Sequence, residues 1–345
     1  MTLTAIDLFC GAGGLTCGLK QAGFDVKLGV EVEHVAAITY RENHPEHELY
    51  EADIRTLDPH QLMRKANLKP GELDLLAGCP PCQGFSTHRT RNKTTSIDDN
   101  RNDLIFELMR FVRAFQPKVV MVENVPALAK DIRIELVLKE LSEIGYKIGP
   151  LSLQIKNTAY YGVPQRRKRM ILIASKYGYI PEPAVITPQP TVKDAIFNFP
   201  LPQDSADKLH NITTKHSERI KHMINLIPKD GGSRSDLPKQ YWLPCHIRNP
   251  DSYRDVYGRM SWGRVSPTIT GGCTNPSKGR FLHPEQNRAI TLREAAVLQT
   301  FPLDYYFSLE RGRDFAALMI GNALPPSFIY AHAQEIKKHL EVNNI

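Results

Sequence analysis

Short apolar runs alternate with amphipathic stretches of helical length through the first half of the chain. The apolar runs predict strands, and Gly or Pro residues close most of the helical stretches. The strands are predicted at Thr4–Phe9, Val26–Val30, Leu73–Ala77, Lys118–Val122 and Arg169–Ala174, and the helices at Leu15–Ala22, His34–Asn43, Leu104–Phe115 and Ile134–Ile144. This alternation predicts an α/β fold built on a parallel, doubly wound sheet.

Residues suited to chemistry follow these strands directly. They are a glycine-rich turn at 10–14, Glu31, the run Cys79–Gln83 and Glu123. In doubly wound sheets, ligands bind outside the carboxyl ends of the strands. One topology therefore brings all four to a single crevice.

The bulk composition favours a nucleic-acid partner over a membrane. The net charge is +7 over 345 residues, which indicates either a polyanionic partner or only a well-solvated surface. No apolar run approaches the roughly 18 residues of a membrane span. Six cysteines are scattered without disulfide spacing, so we expect a protein of the reducing cytoplasm.

The second half of the chain is organised differently. Prolines cluster between 181 and 202, which predicts a linker, and periodicity is weak from there to about 286. That stretch is rich in basic and aromatic residues, as a nucleic-acid-reading surface is, although a divergent small α+β domain would look similar. Order returns at Thr291–Glu294, a capping-box spacing that predicts a helix to about Thr300, and Pro325–Leu340 predicts a last amphipathic helix.

The glycine-rich turn after the first strand runs Asp7-Leu8-Phe9-Cys10-Gly11-Ala12-Gly13-Gly14. Its glycines allow a ligand to approach the backbone, but the spacing is not the Gly-x-Gly-x-x-Gly of dinucleotide sites. An adenosine-type cofactor without a pyrophosphate fits better. Glu31 is placed to bind two ribose hydroxyls, and Asp53 and Ile54 to hold an adenine edge and face. Each of these alone is equally well an ordinary turn or surface carboxylate.

The spacing of Cys79 and Cys82 has three interpretations: a redox dithiol, half of a zinc site, or one nucleophilic cysteine. The other cysteines lack ligand spacing, so we expect no metal. The two prolines between Cys79 and Cys82 fix a rigid, extended approach to Cys82, which suits a positioned nucleophile. A few per cent of a free cysteine is thiolate at neutral pH, which is enough to attack a soft electrophile.

Two further segments carry charge beside predicted strands. Glu123 ends a buried strand, where a desolvated carboxyl keeps its proton and can act as a general acid; a helix N-cap acid is the alternative. Gln165 to Arg169 precedes a strand, and alternation puts Arg167 and Arg169 on one face. Two guanidiniums there can hold a phosphate or a base carbonyl, unless the segment is only a solvated edge.

Together these segments resemble the DNA (cytosine-5) methyltransferase family, of the bacterial and phage modification-enzyme type. Eight motifs match in order and spacing across nearly the whole chain outside about 180–285. They are Asp7-Leu8-Phe9-x-Gly11-x-Gly13-Gly14, Glu31, Asp53-Ile54, Gly78-x-Pro80-Pro81-Cys82-Gln83-x-Phe85-Ser86, Glu123-Asn124-Val125, Gln165-x-Arg167-x-Arg169, Leu292-Arg293-Glu294-Ala295 through Phe301-Pro302, and Gly321-Asn322-Ala323-Leu324-Pro325-Pro326.

The resemblance implies a Rossmann-like, S-adenosylmethionine-dependent methyltransferase domain and a smaller, irregular target-recognition domain. The catalytic domain would comprise 1–180 and 318–345, and the target-recognition domain 181–317. S-adenosylmethionine would be the methyl donor, without a metal. The residues implied to bind it are Asp7, Phe9, Gly11, Gly13, Gly14, Glu31, Asp53, Ile54 and Asn322.

The implied reaction begins with addition of Cys82 to carbon 6 of cytosine, which makes carbon 5 enamine-like. Glu123 protonates ring nitrogen 3, Arg169 holds the exocyclic oxygen, and Arg167 supports the site. A base that the sequence does not name then removes the carbon-5 proton, and Cys82 leaves. The target base must be flipped out of the duplex, at a cost of a few kcal/mol. The polar stretch Ser86–Asn102 suits a loop that closes on DNA, or a plain surface loop.

Double-stranded DNA is the implied partner. The implied contacts to it are Gln83, Ser86, Arg264 and Thr268. We expect a monomer without membrane contact, and a cognate restriction endonuclease acting on the same site would be a further partner.

Three alternatives stay open. They are the same chemistry on a structured RNA such as tRNA, a catalytically idle DNA-binding relative, and a Cys-x-x-Cys oxidoreductase. The long basic region favours DNA over RNA. Cys79 stands where the family pattern is variable, so we interpret it as an incidental neighbour that could form an inactivating disulfide with Cys82.

Overall fold

The computed structural model describes residues 2–81, 103–251 and 253–343. Backbone contacts divide the chain into two compact units. The sheet unit comprises Met1–Tyr161, Lys168–Val185 and Leu324–Ile345. The second unit comprises Gly162–Arg167 and Ile186–Ala323. The described part of the chain contains no helix that is both long and apolar enough to cross a membrane.

The sheet unit is an α/β structure around one mixed sheet. Its described strands are β1 Thr4–Leu8, β2 Asp25–Glu31, β3 Glu48–Glu51, β4 Leu75–Gly78, β5 Val119–Asn124, β6 Leu153–Asn157 and β7 Lys168–Ser175. They lie in the order β3-β2-β1-β4-β5-β7-β6. The five predicted strands are confirmed, with ends that differ by one or two residues.

The strands β3, β2, β1, β4 and β5 are parallel, whereas β7 is antiparallel to both β5 and β6. The prediction of a parallel sheet is therefore wrong for β7, which runs opposite to the strands on both of its sides. The physical reason is the link between β6 and β7. Parallel neighbours need a connection of about a dozen residues or more, usually through a helix, and this link is shorter.

Helices flank the sheet and confirm the four predicted in this half. The helices of the sheet unit are α1 Gly14–Gln21, α2 His34–Asn43, α3 Pro59–Lys65, α4 Leu104–Phe115, α5 Ile132–Glu143 and α11 Pro326–Val342. In α4, Ile105, Leu108 and Val112 recur at helical spacing and are fully or almost fully buried, which anchors that helix in the core. The whole of β5 is buried, which explains its continuous apolar run.

The helix α1 packs against α11 at very short range. A Cβ atom added to Gly18 would lie 2.5 Å from the carbonyl oxygen of Pro326 and 2.6 Å from Cβ of Ile329. Only glycine fits at this crossing. The contact fixes the helix that follows the glycine-rich turn.

The second unit has short helices and much irregular backbone. Its described helices are α6 Val192–Ile196, α7 Glu218–Leu226, α8 Pro244–Arg248, α9 Leu292–Leu298 and α10 Gly312–Asn322. The predicted capping box is confirmed: Thr291 Oγ1 accepts from Glu294 N at 3.1 Å, and Glu294 Oε2 accepts from Thr291 N at 2.8 Å. A small apolar cluster that includes Ile224, Val256 and Leu282 forms a separate core.

Irregular backbone in this unit is tied together by the buried Arg259. Its guanidinium donates to the carbonyls of Ile227, His283, Gln286 and Ile224, at 2.7–3.1 Å, and to Asn287 Oδ1. Burial lowers the pKa of Arg259 to about 10, so it stays charged at neutral pH. One cation thus pairs with four carbonyls, of which those of Ile224 and Gln286 also accept from backbone N–H groups.

Candidate functional site

The parallel strands bring the predicted residues to one edge of the sheet unit. The register aligns Leu8 of β1 with Val30 of β2 and with Gly78 of β4, and Gly78 in turn with Val122 of β5. Four predicted features therefore lie at or just after the strand ends at the same level of the sheet. They are the glycine-rich turn, Glu31, Cys79 and Glu123. Cys82, Gln83 and Ser86 lie outside the described residues.

Positive backbone angles shape the glycine-rich turn. Phe9, Gly11 and Gly13 have φ of 63°, 54° and 89°. No atom lies within 4 Å of the position that a Cβ of Gly11 would take, so the turn has open space at this residue. Gly13 is the left-handed N-cap of α1, and Gly14 is its first residue. The turn can therefore bring backbone N–H groups close to a bound molecule.

Asp7 lies beneath the turn and is fully buried. Its Oδ2 accepts hydrogen bonds from Thr16 N at 3.1 Å and Thr16 Oγ1 at 2.6 Å, which replaces the side-chain cap that Gly13 lacks. Burial raises the pKa of Asp7 to about 7, against the opposing effect of the Thr16 hydrogen bonds. Oδ1 is buried without a hydrogen-bond partner among the described residues.

Glu31, the last residue of β2, is bonded to the turn. Its Oε2 accepts from Gly11 N at 2.8 Å, while Oε1 accepts from Val32 N and Glu33 N. Burial raises the pKa of Glu31, although these three backbone donors act in the opposite direction. The carboxylate is thus held at the mouth of the turn, where sequence reasoning expected a ribose-binding acid.

Asp53 and Ile54 start a 3-10 turn after β3. Asp53 Oδ1 caps that turn by accepting from Arg55 N at 3.0 Å, and the Arg55 guanidinium beside it lowers the pKa of Asp53. Ile54 is 3% exposed and packs in the main core. Of this pair, Asp53 is therefore the more accessible residue.

Glu123, which is buried, and Arg169, which is half-buried, form an ion pair across β5 and β7. Arg169 Nε lies 2.8 Å from Glu123 Oε1, and the register places these strands side by side. The contact orients the carboxyl group and charges its surroundings positively. The predicted alternation in the Gln165–Arg169 segment is also seen, because Arg166 and Lys168 are exposed while Arg167 is buried and Arg169 is half-buried.

Cys79 contacts this ion pair, and sequence reasoning, which expected Cys79 and Glu123 in one crevice, missed the contact. Burial of its thiol raises the pKa of Cys79 well above the usual value, and so do the charges of Glu123 and Asp7 and a hydrogen bond to Glu123. The interpretation of Cys79 as an incidental neighbour is therefore incomplete. The signal in the sequence was its position directly after β4, at the same level as Glu123 after β5.

The approach to Cys82 is fixed by Asn124. Its side-chain amide donates to the carbonyl of Pro80 at 2.9 Å, and its Oδ1 accepts from Val125 N at 2.8 Å. The amide is buried. It holds the double-proline segment against the end of β5.

The remaining predicted residues lie in the second unit. Arg167 is 2% exposed and donates from Nη1 to the carbonyl of Ile269 at 2.9 Å. Thr268 Oγ1 donates to the carbonyl of Arg166 at 2.8 Å. Arg264 is exposed, and Asn322 is the last residue of α10.

A group of possible metal ligands lies behind α2. This group consists of His44, Glu46 and His47, whose possible ligand atoms all lie within 4.8 Å of one another. It lies within the described residues. The Lys20 ammonium lies 3.4 Å from His44 Nδ1 and also contacts Glu46. Burial lowers the pKa of His44 to about 3, and Lys20 contributes to that shift. A lysine cation thus already interacts with two of the three side chains.

Comparisons with known proteins find relatives along nearly the whole chain. The family model described as "C-5 cytosine-specific DNA methylase" matches residues 3–338. A Type II methylase from Herpetosiphon aurantiacus, M.HgiDII, is 35% identical over 99% of this chain and 97% of its own length. The Type II methyltransferase M1.HphI from Haemophilus parahaemolyticus is 36% identical over 98% of this chain and 87% of its own length.

Solved structures share the fold. A DNA modification methyltransferase encoded within a prophage of E. coli superposes with a TM-score of 0.73 at 24% identity, covering 98% of this chain and 99% of that one. A Spodoptera frugiperda DNMT2 mutant superposes with a TM-score of 0.62 at 18% identity, covering 97% and 99%. At these identities the likeness concerns the fold alone.

Proposed function

The chain belongs to the C-5 cytosine-specific DNA methylase family, and from that membership we propose that it methylates carbon 5 of a flipped-out cytosine in double-stranded DNA through a covalent Cys82 adduct. It is a DNA cytosine-5 methyltransferase by family.

S-adenosylmethionine is the proposed donor, and when bound it supplies a methyl group carried on a sulfonium. The residues at the turn fit such a molecule. Gly11 has open space where a side chain would otherwise stand, and Glu31 is held beside it by the Gly11 N–H. We assign donor binding to Asp7, Phe9, Gly11, Gly13, Gly14, Glu31, Asp53, Ile54 and Asn322, with Asp7 acting from below through Thr16.

The chemistry of the base is assigned to Cys82, Glu123 and the two arginines. Addition of the Cys82 thiolate to carbon 6 breaks the 5,6 double bond and makes carbon 5 nucleophilic. Glu123, which is ion-paired with Arg169 when no base is bound, takes up a proton as the base enters and gives it to ring nitrogen 3, which neutralises the adduct. After methylation, loss of the carbon-5 proton to a base restores the double bond as Cys82 leaves as the thiolate, and ring nitrogen 3 returns its proton to Glu123. Arg169, 2.8 Å from Glu123, orients the acid and can hold the exocyclic oxygen.

We assign DNA reading to residues 181–317 and catalysis to 1–180 with 318–345. The proposed DNA contacts are Gln83, Ser86, Arg264 and Thr268. Support comes from the exposed Arg264 and from the basic, aromatic composition of that stretch. The Type II names of the relatives support a restriction endonuclease of the same specificity as a partner.

The observation that carries the mechanism is the Glu123–Arg169 pair at the level of the sheet from which the Cys82 segment starts. Tritium from labelled S-adenosylmethionine should enter duplex DNA. Cys82→Ser should abolish transfer, and Glu123→Gln should lower kcat by about 10²–10⁴. Cys245→Ser, at an exposed cysteine of the second unit, is the matched control.

Two outcomes would overturn the proposal. Labelling of tRNA without labelling of duplex DNA would move the substrate to RNA. Undiminished methyl transfer by Cys82→Ser would exclude the covalent mechanism. If Cys82→Ser still binds duplex DNA, a loss of methyl transfer reflects the chemistry and not a loss of DNA binding.

A further inference from the structure

Two fully buried glutamines, Gln165 and Gln299, are bonded to each other inside the second unit. Gln165 Nε2 donates to Gln299 Oε1 at 2.6 Å, and both side chains have no exposed surface. Buried amides are destabilising unless their donors and acceptors are paired. The further partners of this pair therefore decide what the two residues do.

On one side the pair holds the segment around Ile269. Gln165 Oε1 accepts from Ile269 N at 2.8 Å. The carbonyl of the same residue accepts from Arg167 Nη1 at 2.9 Å. Both backbone polar groups of Ile269 are thus bound by side chains of the Gln165–Arg169 segment, and the position of Arg167 depends on that of Ile269.

On the other side the pair holds the end of α10. Gln299 Nε2 donates to the carbonyl of Ile320 at 2.6 Å and lies 3.4 Å from the carbonyl of Ala323. Asn322 lies between these two residues. Helix ends leave carbonyls without intrahelical partners, and here a buried side chain supplies the donor.

Close backbone packing adds to the same arrangement. A Cβ on Gly321 would lie 2.2 Å from the backbone carbon of Thr270 and 2.3 Å from Gly271 N. The end of α10 therefore lies directly against the segment that follows Ile269. A shift of either segment moves the other.

We propose that Gln165 and Gln299 are positioning residues, which set Arg167 and Asn322 in a fixed relation through one buried amide pair. This inference rests on the proposed function, because it takes Arg167 as a support of the cytosine site and Asn322 as a donor contact. Neither glutamine touches substrate. Gln165 acts on the reaction through Ile269 and Arg167, and Gln299 acts on donor binding through the end of α10.

The two halves of the pair give different kinetic signatures. Gln299→Met removes the donor to the Ile320 carbonyl and should raise KM for S-adenosylmethionine and Kd for S-adenosylhomocysteine about tenfold, with a smaller change in kcat. Gln165→Met frees Ile269 and should lower kcat about tenfold, with a smaller change in donor KM. Gln203→Met, at an exposed glutamine of the same unit, should match the wild type.

A merely structural role predicts a different result. Both variants would then lose the same fraction of active enzyme, so kcat would fall in parallel while KM and Kd stay unchanged, and that result would overturn the inference. Gln299→Glu is the second variant, in case Gln299→Met does not fold. It keeps an acceptor for Gln165 Nε2, replaces the donor to α10 by an oxygen that repels the Ile320 carbonyl, and should also raise the donor KM.

The wild type separates this inference from the proposed function. If the wild type transfers no label to DNA, the proposed function fails. If the wild type is active but Gln165→Met and Gln299→Met have the same donor KM and the same kcat, only the proposed role of the glutamine pair fails.

Discussion

The sheet unit and the second unit hold their functional residues by different means. In the sheet unit, parallel strands in register bring Glu31 and Glu123 to one edge, and the backbone ladder does most of the positioning. In the second unit, buried side chains such as Arg259 and Gln299 pair with backbone carbonyls instead. Irregular backbone needs such side chains because every buried carbonyl requires a donor.

The largest expected effect is a loss of stability in the second unit alone, caused by a substitution of Arg259. Arg259→Met removes the donor to the carbonyls of Ile224, Ile227, His283 and Gln286. Loss of these hydrogen bonds, above all those to the carbonyls of Ile227 and His283, should destabilise the second unit by about 3–5 kcal/mol. Hydrogen exchange read by mass spectrometry should show lost protection around α7 and residues 280–290, while β1, β4 and β5 keep theirs.

Arg248→Met is the matched control for this prediction, since Arg248 is an exposed arginine of the same unit. Equal loss of protection in both units would mean that they unfold as one. The backbone hydrogen bonds of the sheet and the buried side chains of the second unit would then not stabilise the two units separately.

A second test concerns the buried acid in the sheet unit. The pKa of Asp7 is raised from 3.8 to about 7, so the folded carboxyl keeps its proton where the unfolded one has lost it. The stability from this group is complete below pH ~3.8 and is lost as the pH rises through about 7. The free energy of unfolding should therefore fall, relative to Asp7→Asn, by up to about 1.4 kcal/mol per pH unit in this window.

Urea denaturation of the wild type and Asp7→Asn at several pH values between 4 and ~8 measures this slope. Asp58→Asn, at the exposed cap of α3, is the control. Parallel curves for the wild type and Asp7→Asn would show that Asp7 is ionised in the folded protein. The sheet unit would then hold a buried negative charge on Asp7, contrary to the raised pKa of this carboxyl.

The smallest expected effect distinguishes backbone strain from donor binding at the glycine-rich turn. Gly11→Ala and Gly71→Ala both place a side chain at positive φ with no atom within 4 Å of the new Cβ. Both should cost about 1–2 kcal/mol of stability. Only Gly11→Ala should raise the Kd for S-adenosylhomocysteine, by about threefold to tenfold in a calorimetric titration. Equal affinities in the two variants would remove Gly11 from the donor site.

Sequence periodicity predicted the sheet unit well because its core strands are buried on both faces. It missed β6, where Ile155 is exposed and the neighbouring residues are half-buried, so no clear apolar pattern marks this edge strand. It also gave the wrong direction for β7. The alternation of side chains along a strand is the same whether its neighbour is parallel or antiparallel.

The candidate site was predictable where chemistry follows a strand end. Glu31 and Glu123 are examples, since their positions follow from strand boundaries alone. The helix-capping contact of Asp7 with Thr16 and the contact of Cys79 with Glu123 were not predicted. Both depend on which side chains face each other in three dimensions, and residue types along the chain do not record this. The same holds for Gln165 and Gln299, which are far apart in the sequence.

The crossing at Gly18 imposes an order on how the protein is made. The helix α1 follows the glycine-rich turn directly, whereas its partner α11 lies far later in the sequence and is synthesised long after it. Until Pro326 and Ile329 emerge, the face of α1 around Gly18 has no covering surface, as is typical of contacts between distant segments. The turn therefore reaches its final packing only after α11 has been synthesised.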